Sequence, residues 1–495
     1  MNILGISAGY HDAAATVLDE DGNILFASHS ERYSKSKSDA NFCSPLIRKL
    51  EEYNPIQTVA YYERPLYKQL RQAYAGQGFE WDKLSVKKLV HKQIGHAKWW
   101  DLKYYKNYNH HLSHAAAGFQ TSSFNKATVV VIDAIGEFET ISIWGAEYDS
   151  NGKATYKRLW QQNYPHSIGL FYTGVTQRVG LRPLDEEYIL MGMAAYGGGY
   201  AKDIMKLDLV SNEWDIEFKE NLHTGMSTKY LSNFSDMDIA AAAQDLAEDL
   251  ILNVMLRAKQ FKWSDNLVYM GGCALNCAAN ARIGNYFENI WIMPNPGDAG
   301  SSLGAAALAY GRAVNWRDAY LGHNIPGPYP VNNILDELLT RKIVGVASGR
   351  AEFGPRALGN RSLLADPRGS EIKEKVNDIK RRQQFRPFAP VILEELADTY
   401  FDMPRGFEHS RYMQSVARCR VPDLFPAIVH ADGTSRVQTV PKDGSGIREL
   451  LEKWYVMTGC PMLLNTSLNI RGEPMVNDRA DADRFEQLYG VKVCS

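Results

Sequence analysis

MNILGISAGYHDAAATVLDEDGNILFA, residues 1–27, reads as a short apolar strand (Ile3–Ser7), a small-residue loop (AGYHD), a second strand (Ala13–Leu18), a turn (Asp19–Gly22) and a returning strand (Asn23–Ala27). The Asp-Gly pair is a strong hairpin signal. About 130 residues on, the same order recurs. TVVVIDAIGEFETISIWGAEYDSNGKATYKRLW, residues 128–160, gives a strand ending at Ile132, a small-residue loop, the strand Thr140–Tyr148, a turn at Asp149–Gly152 and a return over Ala154–Trp160. Strand, loop, strand, hairpin, used twice, predicts two related halves facing each other across a cleft. Two unrelated hairpins are the alternative, because short patterns recur by accident.

Such a duplication is the plan of the actin, sugar-kinase and Hsp70 nucleotide-binding architecture, where a loop from each half offers backbone N–H groups to phosphate. Between the copies stands NHHLSHAAAGF, Asn109–Phe119. If the Ala-rich run is helical, His110 and His114 project from one face, as two imidazoles gripping one metal ion do, while His111 points elsewhere. Polar helix residues meeting core or solvent would give the same spacing. Asp133 ends the run Thr128–Ile132 and Asp298 lies in the turn NPGDAG, so each sits where a strand hands over to a loop. Two imidazoles and two carboxylates suit iron, zinc or manganese.

Other elements are legible from periodicity. Ser235 with Asp238 resembles a capping box, and Ile239, Ala242, Leu246, Leu250 and Val254 mark one face of a helix ending near Lys259. The strand Leu267–Met270 runs into Gly271-Gly272, whose missing side chains would admit backbone or an adenine ring, or simply make a tight turn. The strand Ile290–Met293 leads to a small-residue helix, Ser301–Ala313, whose N-terminus suits phosphate. Residues 166–172 and 184–197 read as loop, and 198–234 as irregular surface. Lysines interleaved with aromatics over 82–108 (Lys83, Lys87, Trp99, Trp100, Tyr104 among them) suit a nucleotide or nucleic-acid strand, or else an amphipathic helix with its aromatic side inward.

The chain has 495 residues, 45% of them hydrophobic, enough for more than one core and at least two domains. A net charge of -2 gives no global field for nucleic acid or membrane. No basic leader precedes the first apolar residues and no apolar run approaches roughly 18 residues, so the expected location is the cytoplasm, with no membrane partner. The six scattered cysteines read as reduced thiols. YLGHNIPGPYP, 320–330, reads as a boundary, which places one domain at 1–325 and a second at 326–495. Beyond it, Arg350, Arg356, Arg361, Arg368, Arg381, Arg382 and Arg386 crowd one segment with Glu352, Asp366, Glu371, Glu374 and Asp378, and Arg436, Asn465, Ser467, Asn469 and Arg471 come after them. Arginine forks on tight loops suit phosphate or carboxylate, and some will pair internally.

Taken together, GYHDAAA, NHHLSHAAAGF, DAIGEFET, MGMAAYG, GGCALN, NPGDAGSSLGAA, EFGPRALGNRS, FRPFAP and NTSLNIRGEP resemble, in order and over nearly the whole chain, the O-carbamoyltransferases of the nodulation and antibiotic-tailoring type. The resemblance implies an α/β, two-lobed ASKHA-type N-terminal domain followed by an α+β YrdC-like domain. The second would make carbamoyl adenylate from ATP, with its Mg2+, and carbamoyl phosphate. The first would pass the carbamoyl group to a hydroxyl. The implied metal ligands are His110, His114, Asp133 and Asp298, commonly holding iron. Arg356, Lys380, Arg386, Arg436, Ser467 and Arg471 would form the carbamoyl phosphate and ATP pocket, Lys380 and Arg386 acting in catalysis. Gly136, Glu137, Gly271, Gly272 and Lys37 are the candidate nucleotide contacts.

His11 is the candidate base or hydrogen-bonding partner in transfer, with Asp12 orienting its loop. One departure is EEYILMG, with Ile189 where the family carries lysine, a loss for which Lys35 or Lys37 could compensate. The expected acceptor is a sugar, a natural-product hydroxyl or a hydroxymethylated pyrimidine as nucleotide or within DNA, and a homodimer is the other expected partnership. The alternatives are a threonylcarbamoyl-transfer enzyme acting on tRNA and a non-catalytic nucleotide-binding regulator.

Overall fold

The fold is that of a computed structural model, which describes residues 2–95, 102–444 and 446–495. The first copy forms β1 (Asn2–Ser7), β2 (Ala14–Leu18), β3 (Ile24–His29), β4 (Ile56–Tyr61) and β5 (Tyr104–Asn107), in the order β3-β2-β1-β4-β5. The second forms β6 (Lys126–Ile132), β7 (Glu139–Tyr148), β8 (Ala154–Asn163), β9 (Asn266–Met270) and β10 (Asn289–Trp291), and its sheet order reproduces the first. In both, the first three strands are antiparallel neighbours and the last two add in parallel. The hairpins even turn by the same device. Asp19 Oδ1 accepts from the amides of Asp21 (3.0 Å) and Asn23 (2.8 Å), and Asp149 Oδ1 from those of Asn151 (2.8 Å) and Lys153 (2.9 Å). The duplication predicted from sequence is present strand for strand.

Six helices frame the functional regions: α1 (Pro65–Tyr74), α2 (His110–Phe119), α3 (Ile168–Arg178), α4 (Glu187–Ala194), α5 (Asp236–Gln260) and α6 (Ser301–Tyr310). Asn109 caps α2 by accepting from Leu112 N, and Ser235 caps α5 by accepting from Asp238 N. α2 and α6 pack against one another in the middle of the duplicated part, close enough that a Cβ on Gly304 would overlap the Ser113 carbonyl, and α6 packs on β1 so closely that one on Gly5 would overlap the Ser302 carbonyl. Only small residues permit that approach, which explains the AAAGF and SSLGAAA runs. It also brings the N-terminal ends of both helices to one place.

C-terminal to these lies a six-stranded mixed sheet of β11 (Ile343–Ala347), β12 (Arg361–Ala365), β13 (Ala389–Leu393), β14 (Gln438–Val440), β15 (Met462–Ser467) and β16 (Val493–Cys494), ordered β14-β13-β15-β12-β11-β16. It has its own core, with Leu363, Val391, Trp454 and Leu463 buried.

Four expectations are corrected. Residues 166–172 and 184–197 are largely helical, forming the start of α3 and all of α4; these helices are buried on nearly every side, so no polar stripe betrays their period. The stretch 198–234 contains a helix, Lys202–Leu209, that buries Met205 and Leu209. Tyr320–Ile325, read as a boundary segment, is a strand paired antiparallel with Gly349–Glu352, its Pro and Gly residues falling mostly beyond the strand. All six cysteines are free, as expected. Among the described residues no helix is long and apolar enough to cross a membrane.

Candidate functional site

Where the halves meet, α2 contributes His110 and His114, the end of β6 contributes Asp133, and the turn before α6 contributes Asp298. All four are buried, and their ligand atoms lie within 4.8 Å of one another. His110 Nε2 is 3.3 Å from Asp133 Oδ2 and 3.2 Å from Asp298 Oδ1, and His114 Nε2 is 3.1 Å from Asp298 Oδ1. The two Nε2 atoms face each other at 3.1 Å. His114 Nδ1 lies 3.1 Å from the Pro296 carbonyl, a contact that requires the proton on Nδ1 and turns the Nε2 lone pair inward. Behind His110 Nδ1 stands the Glu63 carboxylate at 3.9 Å. Two imidazole nitrogens and two carboxylates pointing at one spot, with His114 anchored through its outer nitrogen, fit a divalent cation.

The electrostatics agree. Burial pulls both histidines down, but Asp298 and Asp133 outweigh it and hold His110 well above, and His114 above, the usual imidazole value. Burial likewise resists ionisation of the aspartates, yet the paired histidines keep Asp133 and Asp298 well below the usual carboxylate range. His111, buried with Nδ1 2.8 Å from Ser142 Oγ, is pushed down to about 3 by burial and stays neutral.

A cavity of about 350 Å³ opens beside the cluster, lined among others by Tyr10, His11, Lys68, Arg71, Gly136 and His223. His11 Nδ1 is 3.0 Å from Asp12 Oδ2 and its Nε2 is 3.7 Å from Asp298 Oδ2. Asp12 has φ 49°, a conformation L residues seldom adopt, and it sets this carboxylate against the imidazole. Burial lowers the His11 pKa, but Asp12 and Asp298 raise it overall to about 9. Gly136 must be glycine because a Cβ would sit 2.9 Å from the His111 ring and 3.1 Å from that of His110. Glu137 is not among the lining residues; its buried carboxylate accepts from the Arg64 amide (2.7 Å), the Arg64 side chain and Asn109 Nδ2 (3.2 Å), and so braces the start of α2. Gly271, at φ 92°, passes against Ile132, and the Gly272 amide donates to Asp133 Oδ1 at 3.0 Å.

A second constellation lies where the C-terminal sheet meets α4. Lys380, 3% exposed, donates to Ser467 O, to Ser467 Oγ (3.3 Å), and to Asn469 O (2.9 Å) and Oδ1 (3.0 Å). Arg386 stacks over the Tyr188 ring at 4.8 Å, and Lys37 reaches the same ring at 5.5 Å while pairing with Asp185 at 3.0 Å. Arg356 donates to the Leu275 carbonyl at 3.4 Å, and Arg471 pairs with Glu186 at 2.7 Å. Burial and Arg436 push Arg356 down to about 9, and burial with Arg382 and Arg386 pushes Lys380 well below an ordinary lysine. Cations crowded together and short of carboxylates are built for a polyanion.

Ile189 is 1% exposed in the core of the second half, so this position does not face the cationic pocket, whereas Lys37 does. Lys35 instead pairs with Asp481. Sequence reasoning missed Glu63, Lys68, Arg71 and Tyr188; charge directly after the apolar strand ending in Tyr61 was the available signal for the first. Over 82–108, Val86–Ile94 is an amphipathic helix burying Val90 and Ile94; Trp99 and Trp100 lie outside the described residues.

The duplicated α/β fold, with a buried His/Asp cluster where its halves meet and a cationic pocket beside the C-terminal sheet, has the plan of the actin and sugar-kinase-like class. Residues 63–307 match the carbamoyltransferase N-terminus and 335–493 the carbamoyltransferase C-terminus. The chain is 34% identical to the Synechocystis protein sll1178, covering 98% of this chain and 94% of that one. It is 30% identical to nodulation protein NolO of Bradyrhizobium diazoefficiens over 76% of this chain and 75% of that one. Full-length HypF in its phosphate- and nucleotide-bound form aligns at 15% identity and a TM-score of 0.35 over 62% of this chain and 55% of that chain. The protein belongs to the carbamoyltransferase family and is a carbamoyltransferase.

Proposed function

We propose that the protein is an ATP-dependent O-carbamoyltransferase working in two stages. In the cationic pocket, carbamoyl phosphate loses phosphate to water, and the resulting carbamate oxygen attacks the α-phosphorus of ATP, giving carbamoyl adenylate and pyrophosphate. Carbamate is a poor acyl donor, and joining it to AMP supplies the leaving group it lacks. The observation that carries this reading is the cluster of Arg356, Lys380, Arg386 and Arg436, buried or half-buried and short of carboxylate partners. Such groups stabilise the charge that develops on a triphosphate.

The second stage belongs to the cavity beside His11. There the acceptor hydroxyl attacks the carbamoyl carbon, AMP leaves, and one proton is released. A divalent ion on His110, His114, Asp133 and Asp298, iron being the family's expected choice, would supply Lewis-acid polarisation of the donor. With both aspartates committed to a cation, the charges that hold His11 protonated are reduced, and its Nε2 can take the hydroxyl proton while Asp12 fixes Nδ1. The acceptor is a hydroxyl of a sugar, a natural product or a hydroxymethylated pyrimidine.

The test is release of pyrophosphate from ATP that depends on carbamoyl phosphate, followed by mass analysis of a hydroxyl-compound panel. Arg386→Ala should lower the release at least tenfold. ATP binding without any such release, across all conditions, would sink the activation chemistry.

A further inference from the structure

Helix α1 keeps Leu66, Tyr67, Leu70 and Tyr74 exposed and turns Lys68 and Arg71, three residues apart, toward the cavity. Lys68 is committed, its Nζ 2.6 Å from Glu63 Oε1, the carboxylate that backs His110. Arg71 is not. It is 6% exposed, NH1 donates to the neutral Gln77 Oε1 at 2.7 Å, and Nε is buried with no partner among the described residues.

Arg361 shows how a guanidinium can be caged for a structural role. Arg361, fully buried, donates to the carbonyls of His323, Ser348, Gly349, Asn360 and Asn477. Arg71 has no such cage, and it lines the cavity. With Asp133 and Asp298 facing a cation and Glu63 facing Lys68, Arg71 is the charge on that wall left without a counter-ion. An arginine fork in this position matches a phosphate or carboxylate.

We propose that Arg71 receives an anionic group of the hydroxyl compound entering this cavity, so that the acceptor is a small anion, such as a nucleotide or a sugar phosphate, and not a neutral or cationic molecule. The inference rests on the cavity being the transfer site. The neutral side chains of Thr173 and Gln177, also lining it, would contact the body of the acceptor.

Calorimetric titration of the metal-loaded full chain with inorganic phosphate separates this inference from the activation reading, because each predicts its own site. Wild type should show two classes of binding, one lost in Arg386→Ala and the other weakened at least tenfold in Arg71→Gln and less so in Arg71→Lys, which keeps the charge without the fork and also guards against misfolding. A class lost in Arg386→Ala with nothing changed in Arg71→Gln overturns the inference and leaves activation standing. A class lost only in Arg71→Gln does the reverse, and no phosphate binding at all overturns both.

Transfer assays on matched pairs, nucleosides against their 5′-monophosphates and hexoses against their 6-phosphates, then identify whose anion it is. KM for the phosphorylated partner should rise at least tenfold in Arg71→Gln with little change in kcat. A rise in KM for ATP instead would assign the anion to the donor and overturn the proposal, as would equal use of the neutral partners by wild type.

Discussion

At the scale of single residues, the cluster of His110, His114, Asp133 and Asp298 makes two linked predictions. His114→Ala removes a nitrogen whose outer atom is anchored on the Pro296 carbonyl. Metal content measured on the purified protein should fall from about one equivalent to near zero, and transfer should fall about 100-fold or more, the scale on which catalytic metals contribute. Retained metal with lost transfer would mean the imidazole has another task. Protons compete with the metal for the same nitrogens. Against burial, Asp298 and Asp133 hold His110 and His114 above the ordinary histidine value, so the empty site takes up protons at higher pH than free imidazole would. Metal affinity should therefore begin to weaken as pH falls while still above the ordinary imidazole pKa near ~6.5, as metal titrations at stepped pH would show. An affinity that stays constant down to pH well below that value would contradict the arrangement.

Lys380 gives a prediction of the opposite sign. Burial, then Arg382 and Arg386, depress its pKa in the empty pocket, although its acceptor oxygens favour the ammonium. A bound polyanion restores the charged form, so ATP binding should draw in protons and weaken as pH rises through the depressed pKa. Titrations in buffers of different ionisation enthalpy measure that uptake; none would mean Lys380 stays charged throughout.

At the scale of elements, the site depends on how closely α2 and α6 approach. Gly304→Ala would press a methyl into the Ser113 carbonyl, next to His114 and about one turn from His110, and should cost about 1–3 kcal/mol or more. Gly192→Ala in α4, where the nearest atom is Pro387 Cδ at 3.8 Å, should be neutral or stabilise by up to about 1 kcal/mol. Thermal unfolding of the pair checks this, and equal effects would mean the central packing is looser than it looks. These elements also show what a sequence discloses. β1–β3, β6 and β7 were legible because one face or both are buried, and the hairpin turns leading to β3 and β8 carry Asp and Gly at fixed places. α5 was legible from its cap and its apolar period, and α2 from its Ala-rich run. α3 and α4 were hidden because almost no residue of either is exposed, which blurs the amphipathic period. The His/Asp cluster was readable because His110 and His114 share one helix face and Asp133 and Asp298 follow strands, whereas Arg71 and Glu63 owe their meaning to a cavity wall assembled from distant segments.

For the molecule as a whole, the separate core of the C-terminal sheet invites independent unfolding, yet its contacts with the duplicated part argue otherwise. The segment from Gly272 to Leu275 donates to Asp133 at one end and accepts from Arg356 at the other, so a single turn touches both sites. Asn280, fully buried, donates to Ala274 O at 2.9 Å and to Gln414 O at 2.8 Å, tying that turn to the C-terminal part. Leu321 and Phe353 belong to the core shared with the first half's strands. Metal release from the cluster and loss of phosphate binding at the cationic pocket should therefore share one urea midpoint. Asn280→Ala would leave two buried carbonyls without donors, a cost of about 1–3 kcal/mol, and should pull the two midpoints apart. Arg471→Ala breaks an ion pair whose arginine is 40% exposed, contributing about 0–1 kcal/mol after screening, and should leave the midpoints together. If Arg471→Ala separates them and Asn280→Ala does not, the coupling runs through surface charge and not through the buried turn.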